Sequence, residues 1–397
     1  MGMTTLAAPR AARNPRLLLA TLLLLAVNLR TTVASLPPLQ RDIEHDLALS
    51  GWTSGLLTAL PVVCMAWFAP AAHRLAHRFG RDATALAAMG CVMVGNGVRA
   101  IDTWALLAGT LVAGIGVSAC GVLLPGTVKE AFPLRSGLVT GAYTVAMMLG
   151  ATIAAATAVP LERALGSWRW SLAMWALPAA LAAVAWHRSR ERPAHREPVA
   201  EAAMVRLPWR SRAAWLLAAF LSAQSFLAYA YLAWLPPAYQ ARGWSPEAAG
   251  ALLAAGNLAQ LGGALVFPVL ADLFVDRRPV LGGAVGCTLT GALWLFALPD
   301  TLPWAASAVL GLGLGGAFSL AMVLIVDCGA NPAAAGRLAA LAFAVAYSTA
   351  ALAPVLVGAL RDATGGYAVP YGLLAVVAAT QLALGTRLHP RLRGTVG

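Results

Sequence analysis

RSRERPAHREPVAEAAMVRLPWRSR (188–212) is the only polar stretch of its length in the chain, and the segments on either side of it decide the fold. In both directions from it, apolar runs follow one another, separated only by short charged or Pro/Gly-rich breaks. A bilayer-crossing helix needs about 20 predominantly apolar residues. Runs of that kind lie near 17–36, 52–72, 83–101, 104–128, 137–160 and 168–187 before the polar stretch, and near 213–236, 246–271, 279–298, 301–326, 337–360 and 367–386 after it. The reading is an all-α integral membrane protein of twelve transmembrane helices in two parallel six-helix bundles, 1–187 and 213–397, with 188–212 as their linker. The linker's arginines suit it to an anionic leaflet surface. An even number of spans places both termini on one side.

Composition agrees. Of 397 residues, 60% are hydrophobic and 11% charged, where a soluble chain carries roughly 25% charge and about 45–50% apolar residues. Mean hydropathy is +0.73. A soluble fold cannot hide that much apolar surface, which excludes a cytosolic enzyme and a secreted disulfide scaffold. The net charge of +12 has the look of a nucleic-acid binder until its lysines and arginines are placed along the chain. Of these, 21 fall in the tails and loops on the side of the linker, six fall in the opposite loops, and Arg30 lies inside the first run. Cytoplasmic loops are the Lys/Arg-rich ones, so both termini and the linker are expected in the cytoplasm. The first run follows Arg10, Arg13 and Arg16 as a signal peptide would, but eleven further runs and Arg30 favour an uncleaved helix. The five cysteines form no CxxC or Cys/His cluster and read as reduced packing residues.

An internal repeat divides the chain at the same place. An offset of 199 residues aligns Gly114 and Gly116 with Gly313 and Gly315, Gly137 with Gly336, Gly166 with Gly365, and Trp168 with Tyr367. Runs four to six thus match runs ten to twelve without a gap, as parallel six-helix repeats would.

Enzyme signatures are missing: there is no HExxH, GxSxG or Walker lysine motif, and neither catalytic residues, a metal set nor a cofactor is expected. GLGLGG (311–316) has a dinucleotide-loop spacing, but it lies inside an apolar run with no strand before it, and reads as close helix packing. An ionisable group deep in a membrane is a functional hypothesis by default. Arg30, two-thirds along the first run, is the clearest. Its planar, permanently charged guanidinium suits a small anion or a planar hydrogen-bond acceptor, and its alternative is a contact to helix carbonyls. No Asp, Glu or His falls near the middle of any run, so the usual carboxylate proton relay is missing. Arg99 reads as an interfacial anchor or a partner of Asp102, and the Glu162-Arg163 and Arg361-Asp362 pairs read as interfacial. Uncharged candidates lie in the second half: Gln224 and Ser225 with Tyr229, Tyr231 and Trp234 in run seven, Asn257 and Gln260 in run eight, and Tyr347 in run eleven. Each is either interhelical glue or a ligand contact, since unpaired polar groups in hydrocarbon are costly. Trp234 also fits an interfacial belt.

With these residues assembled, the chain resembles the cyanate/nitroimidazole porter family of the major facilitator superfamily. The segments that carry the resemblance are NLRTTVASLPPL (28–39), GLLTALPVVCMAWFAP (55–70), LLPGTVKEAFPLRSGLVTGAYT (123–144), SWRWSLAMWALPA (167–179), AQSFLAYAYLAWLPPAYQARGWSPEAAGALL (223–253), GLGLGGAFSLAMVLIV (311–326) and VGALRDATGGYAVP (357–370). The resemblance implies transport of a small solute across the bacterial inner membrane by alternating access, by a protein expected to be monomeric. Cyanate import is known in one branch and 2-nitroimidazole export in another. Arg30 matches the arginine of the family's first-helix segment, which also contains Asn28, and Gln224, Ser225 and Tyr229 match its seventh-helix segment. The superfamily's loop signature departs here. In APAAHRLAHRFGRD (69–82), Phe79-Gly80-Arg81 survives but His77 stands where an Asp is usual, whereas FPVLADLFVDRRP (267–279) keeps Asp272 and Arg277-Arg278. Arg78, Arg81, Asp272, Arg277 and Asp327, which ends run ten, are candidate gating contacts between the bundles. Positive-inside topology is their plainer reading. A broad-specificity drug exporter and a receptor that binds the solute without moving it are the alternatives.

Overall fold

The computed structural model describes residues 15–132, 135–189, 207–392 and 394–396; most of the 188–212 linker therefore lies outside the described residues. The chain forms α1 (Pro15–Ala34), α2 (Gln40–Leu47), α3 (Gly51–Trp67), α4 (Ala69–Phe79), α5 (Arg81–Val98), α6 (Thr103–Ala131), α7 (Ser136–Leu165), α8 (Trp168–Ala173) and α9 (Ala176–Ser189), then α10 (Arg212–Gln240), α11 (Pro246–Asp272), α12 (Arg278–Ala297), α13 (Pro303–Cys328), α14 (Pro332–Thr364) and α15 (Ala368–Arg387). Extended pairing among the described residues is confined to one bridge, between Gly329 and Val396. There the tail runs back along the end of α13, with Val396 N–H donating to Cys328 O at 3.1 Å.

Every expected run falls on a helix or a broken pair of helices. Among the described residues, ten segments are long and apolar enough to cross a bilayer, and α3 with α4, bent by 57°, makes an eleventh if the two count as one span. The run expected at 83–101 falls short, because α5 begins on Arg81-Asp82 and carries Asn96 near its end. By length and composition the expected twelve spans thus become ten or eleven, although α5 packs against α6 and α9 like its neighbours.

Helix boundaries follow side-chain chemistry. Asp102, Ser211, Ser245 and Asn331 each accept a hydrogen bond from the backbone N–H three residues on, capping α6, α10, α11 and α14 and satisfying donors that a helix start leaves unpaired. Helices α7 and α14 end on Gly166 (φ +72°) and Gly365 (φ +68°), in the left-handed conformation that favours glycine. These two ends keep the 199-residue offset. Inside α6 and α13 the register slips: Gly114 backs onto α3 and Gly116 onto α5, whereas Gly313 backs onto α12 and Gly315 onto α11. The gapless match expected from sequence therefore holds at the α7 and α14 ends and fails within α6 and α13.

Helices α1–α9 pack among themselves, α10–α15 do likewise, and the two sets meet chiefly along α3 with α14 and α7 with α11. The α3–α14 seam is built from bare backbone. A Cβ added at Gly55 would lie 2.3 Å from Pro354 O, and one at Gly358 2.2 Å from Gly51 O. One apolar cluster draws on both sets, from Val33, Val62 and Ala151 to Leu227, Leu253 and Val357. Two others stay within a single set: Leu22, Met89 and Val128 in the first, Leu217, Leu281 and Ile325 in the second. The sets are thus joined at the end remote from Pro15, Phe79 and Arg387 and part toward the end that carries them.

Candidate functional site

Between the two sets lies a cavity of about 60 Å³, several times the roughly 10–15 Å³ that one water needs. Arg30 from α1, Gln224, Ser225 and Tyr229 from α10, Asn257 from α11 and Tyr347 from α14 all line it. Six of the seven residues expected to bind a solute are therefore brought together, although they come from four helices. Tyr231 and Gln260 join them, together with Met148 and Ala151 from α7 and Phe318 from α13. These last three escaped the sequence reading because apolar residues in an apolar run carry no signal. Arg30 is the one charged side chain in the lining among the described residues. Its guanidinium carbon stands 5.8 Å from the centroid of the Tyr229 ring, within cation–π range. Tyr229 in turn donates to Met65 Sδ across the sets at 3.9 Å, and Tyr347 stacks on Phe343 with ring centroids 5.6 Å apart.

The uncharged candidates divide by their partners. Gln224 Nε2 donates to Leu314 O at 2.6 Å, and its Oε1 accepts from Gln381 at 2.8 Å, so its amide ties α10 to α13 and α15. Tyr231 and Ser307 share a hydrogen bond of 2.7 Å, and Ser307 donates onward to Leu252 O. Asn257 differs: it is buried and its Nδ2 has no hydrogen-bond partner. A buried amide donor left unpaired carries a desolvation penalty, which a solute acceptor in the cavity would relieve. Asn28 lies outside the lining, with Nδ2 turned back to Leu24 O at 2.8 Å.

Arg99 departs from its expected place at an interface. It is fully buried, donates Nη1 to Thr32 O at 3.0 Å, and sits beside Asn96, which bonds Thr32 and Trp175 O. Asp102, its supposed partner, caps α6 instead. Trp234 is likewise no belt residue: it is buried and donates to Pro354 O at 2.8 Å.

At the end carrying Pro15 and Arg387, the candidate gating residues pair within sets. Arg81 meets Glu130 at 2.6 Å in the first set; Arg277 meets Asp327 at 3.0 Å and Asp272 at 3.5 Å in the second. Arg78 is exposed over Phe79. The ties between sets gather at the remote end. Arg361 of α14 donates to both carboxylate oxygens of Glu44 of α2 at 2.9 Å and lies over the rings of Trp234 and Tyr367. Asp362 accepts from the N–H groups of Gly51 and Trp52, and Gln240 donates to Pro38 O. Arg163 pairs with Glu247. Sequence alone does not join residues 317 apart, so this clasp went unread.

Known proteins bear on the same geometry. A sequence profile described as Major Facilitator Superfamily matches residues 18–354. The chain belongs to the Major Facilitator Superfamily. Within this superfamily it is 32% identical over 375 residues to the cyanate transport protein CynX of Escherichia coli (strain K12), covering 94% of this chain and 97% of that one. It is 30% identical over 363 residues to a 2-nitroimidazole transporter of the same organism, covering 91% and 92%. The names of both relatives match the cyanate/nitroimidazole porter family that its segments resemble. Among solved structures, a bacterial homologue of the human lysosomal transporter Spinster, inward-facing and unoccupied, superposes with a TM-score of 0.77 at 14% identity, covering 96% of this chain and 98% of that one. The chain is thus a multi-pass membrane transporter of small solutes with the Major Facilitator fold, and not an enzyme.

Proposed function

We propose that this transporter carries a small anion of the cyanate kind, or a planar nitroimidazole-like solute, across the bacterial inner membrane by alternating access around the Arg30 cavity. The observation that carries the reading is one guanidinium in an otherwise uncharged cavity between the two helix sets. A fixed positive charge there attracts an anion or a nitro group and repels cations, which disfavours an exporter of lipophilic cations. Arg30 supplies charge and donors, Tyr229 and Tyr347 supply flat apolar faces, and Asn257 supplies a free amide donor. The names of the 30–32% identical relatives support the same substrate class.

In this reading residues 1–187 and 213–397 are the two rocking bundles and 188–212 is their cytoplasmic linker. Both termini are cytoplasmic, a placement the loop charges support, and one chain is the working unit. With the sets tied at the remote end and parted at the terminal end, the present conformer faces inward. The test is uptake of labelled cyanate and of 2-nitroimidazole by proteoliposomes, with and without an imposed pH gradient. Saturable uptake of either solute, abolished in Arg30→Gln with the protein still folded, is the expected result. Full transport by that variant would sink the role of Arg30, and failure of both solutes in wild type would sink the substrate class.

A further inference from the structure

A second, larger cavity opens at the remote end. It measures about 380 Å³ and is lined by Arg41 and Glu44 from the first set and by Arg242, Arg361 and Tyr367 from the second. Three guanidiniums share this space with one lining carboxylate. The recorded contacts leave much of their donor capacity unused: Arg41 donates through Nη1 to Gln240 O at 2.5 Å, Arg242 pairs through Nε with Asp300 at 3.2 Å, and Arg361 meets Glu44 through Nη1 alone. An arginine presents five donors in a planar fork; Arg41 and Arg242 each engage one nitrogen in these contacts, while Arg361 also lies against Trp234 and Tyr367.

The lining itself holds three guanidiniums and one carboxylate, and the further acidic groups beside them, Asp300, Asp362 and Asp42, stand outside it. Asp300 is 77% exposed, so its pair with Arg242 is a weak surface one. Asp362 is turned onto the N–H groups of Gly51 and Trp52. Asp42, next to Arg41, lies outside the lining. Tyr367 adds a hydroxyl to the lining.

We propose that this vestibule is an anion site distinct from the Arg30 cavity, in which one small monovalent anion bridges Arg41 of the first set to Arg242 and Arg361 of the second. The site is assembled only when the two sets meet at this end. A ligand that binds one conformer shifts the population toward it, so an anion here holds the remote face closed. Anion at high concentration on that face then slows the transporter, whatever solute the central cavity carries.

Thiocyanate is the probe. Equilibrium binding of labelled thiocyanate is measured in nanodiscs on the full chain bearing Arg30→Gln, which disables the central guanidinium and leaves the vestibule intact. Saturable binding of one thiocyanate per chain is expected. Adding Arg242→Gln weakens it about tenfold, the scale of a lost charge-assisted hydrogen bond. Adding Asp300→Asn tightens it severalfold by freeing Arg242 without touching the contacts between sets. The conformational arm uses Ser54→Cys, at a buried α3 position, with the five native cysteines replaced by alanine. Thiocyanate should slow maleimide labelling of that thiol severalfold, and Arg242→Gln should remove the effect. The proposal is overturned by absence of saturable binding in folded protein, by binding indifferent to Arg242→Gln and Asp300→Asn, or by labelling that thiocyanate leaves unchanged or accelerates. Because the central guanidinium is absent throughout, a failed substrate assignment for the Arg30 cavity leaves this result readable.

Discussion

Gln224 and Asn257 line the same cavity, yet their hydrogen bonds give opposite expectations for mutation. Gln224 is fixed by Leu314 and Gln381, so Gln224→Ala strands the buried Gln381 amide and costs about 1–3 kcal/mol. The expected outcome is a lower melting temperature in detergent and less folded protein. Asn257 Nδ2 has no partner to lose, so Asn257→Ala should melt close to wild type and bind solute about two- to tenfold more weakly, the scale of one hydrogen bond. Thermal melts and transport KM on the two variants separate the roles; equal destabilisation would refute the distinction. Arg30 was legible in the sequence because a lone charge in an apolar run is conspicuous. Arg99 was misread for the converse reason: near the end of a run, the same residue type passes for an anchor, and only packing against Thr32 reveals it as buried.

At the level of elements, apolar runs and breaking residues mark helices reliably, because a membrane helix must satisfy its own backbone hydrogen bonds. Hence helices cover the expected runs, while the short α2 (Gln40–Leu47) lies between the first two of them. Less legible was how helices face one another. The 199-residue offset held at Gly166 and Gly365, where a cap demands glycine, and slipped in α6 and α13, where glycines serve different neighbours. The α3–α14 seam shows what such contacts do. At Gly358 a methyl would meet Gly51 O and the Trp234 ring, an overpacking that costs about 1–3 kcal/mol in this conformer. Gly358→Ala should therefore shift the molecule toward opening at the remote end, raising maleimide labelling of a Ser54→Cys thiol by roughly fivefold or more. Labelling equal to that of the parent would show that the seam yields without separating.

For the whole molecule, a few polar ties at one end add to the packed helix seams in setting the balance between conformers. The Glu44–Arg361 pair is partly buried, with side-chain exposures of 11% and 25%, so it is worth more than a surface ion pair and less than a dry one. Glu44→Gln removes its charge while keeping its shape. The expected result is a transporter that folds normally but spends more time open at the remote face, with labelling at position 54 raised several-fold and the effect shrinking at high salt. Unchanged labelling would assign closure to the backbone seam alone.

The tail offers a handle on the same motion. Residues 394–396 are held against the end of α13 by Gly394 N–H to Asp327 O and by the hydrogen bonds that flank the Gly329–Val396 bridge. A fluorophore on exposed Thr395 would then turn with the second helix set instead of tumbling on its own tether. Its polarisation would read the rocking angle as a pointer reads a dial.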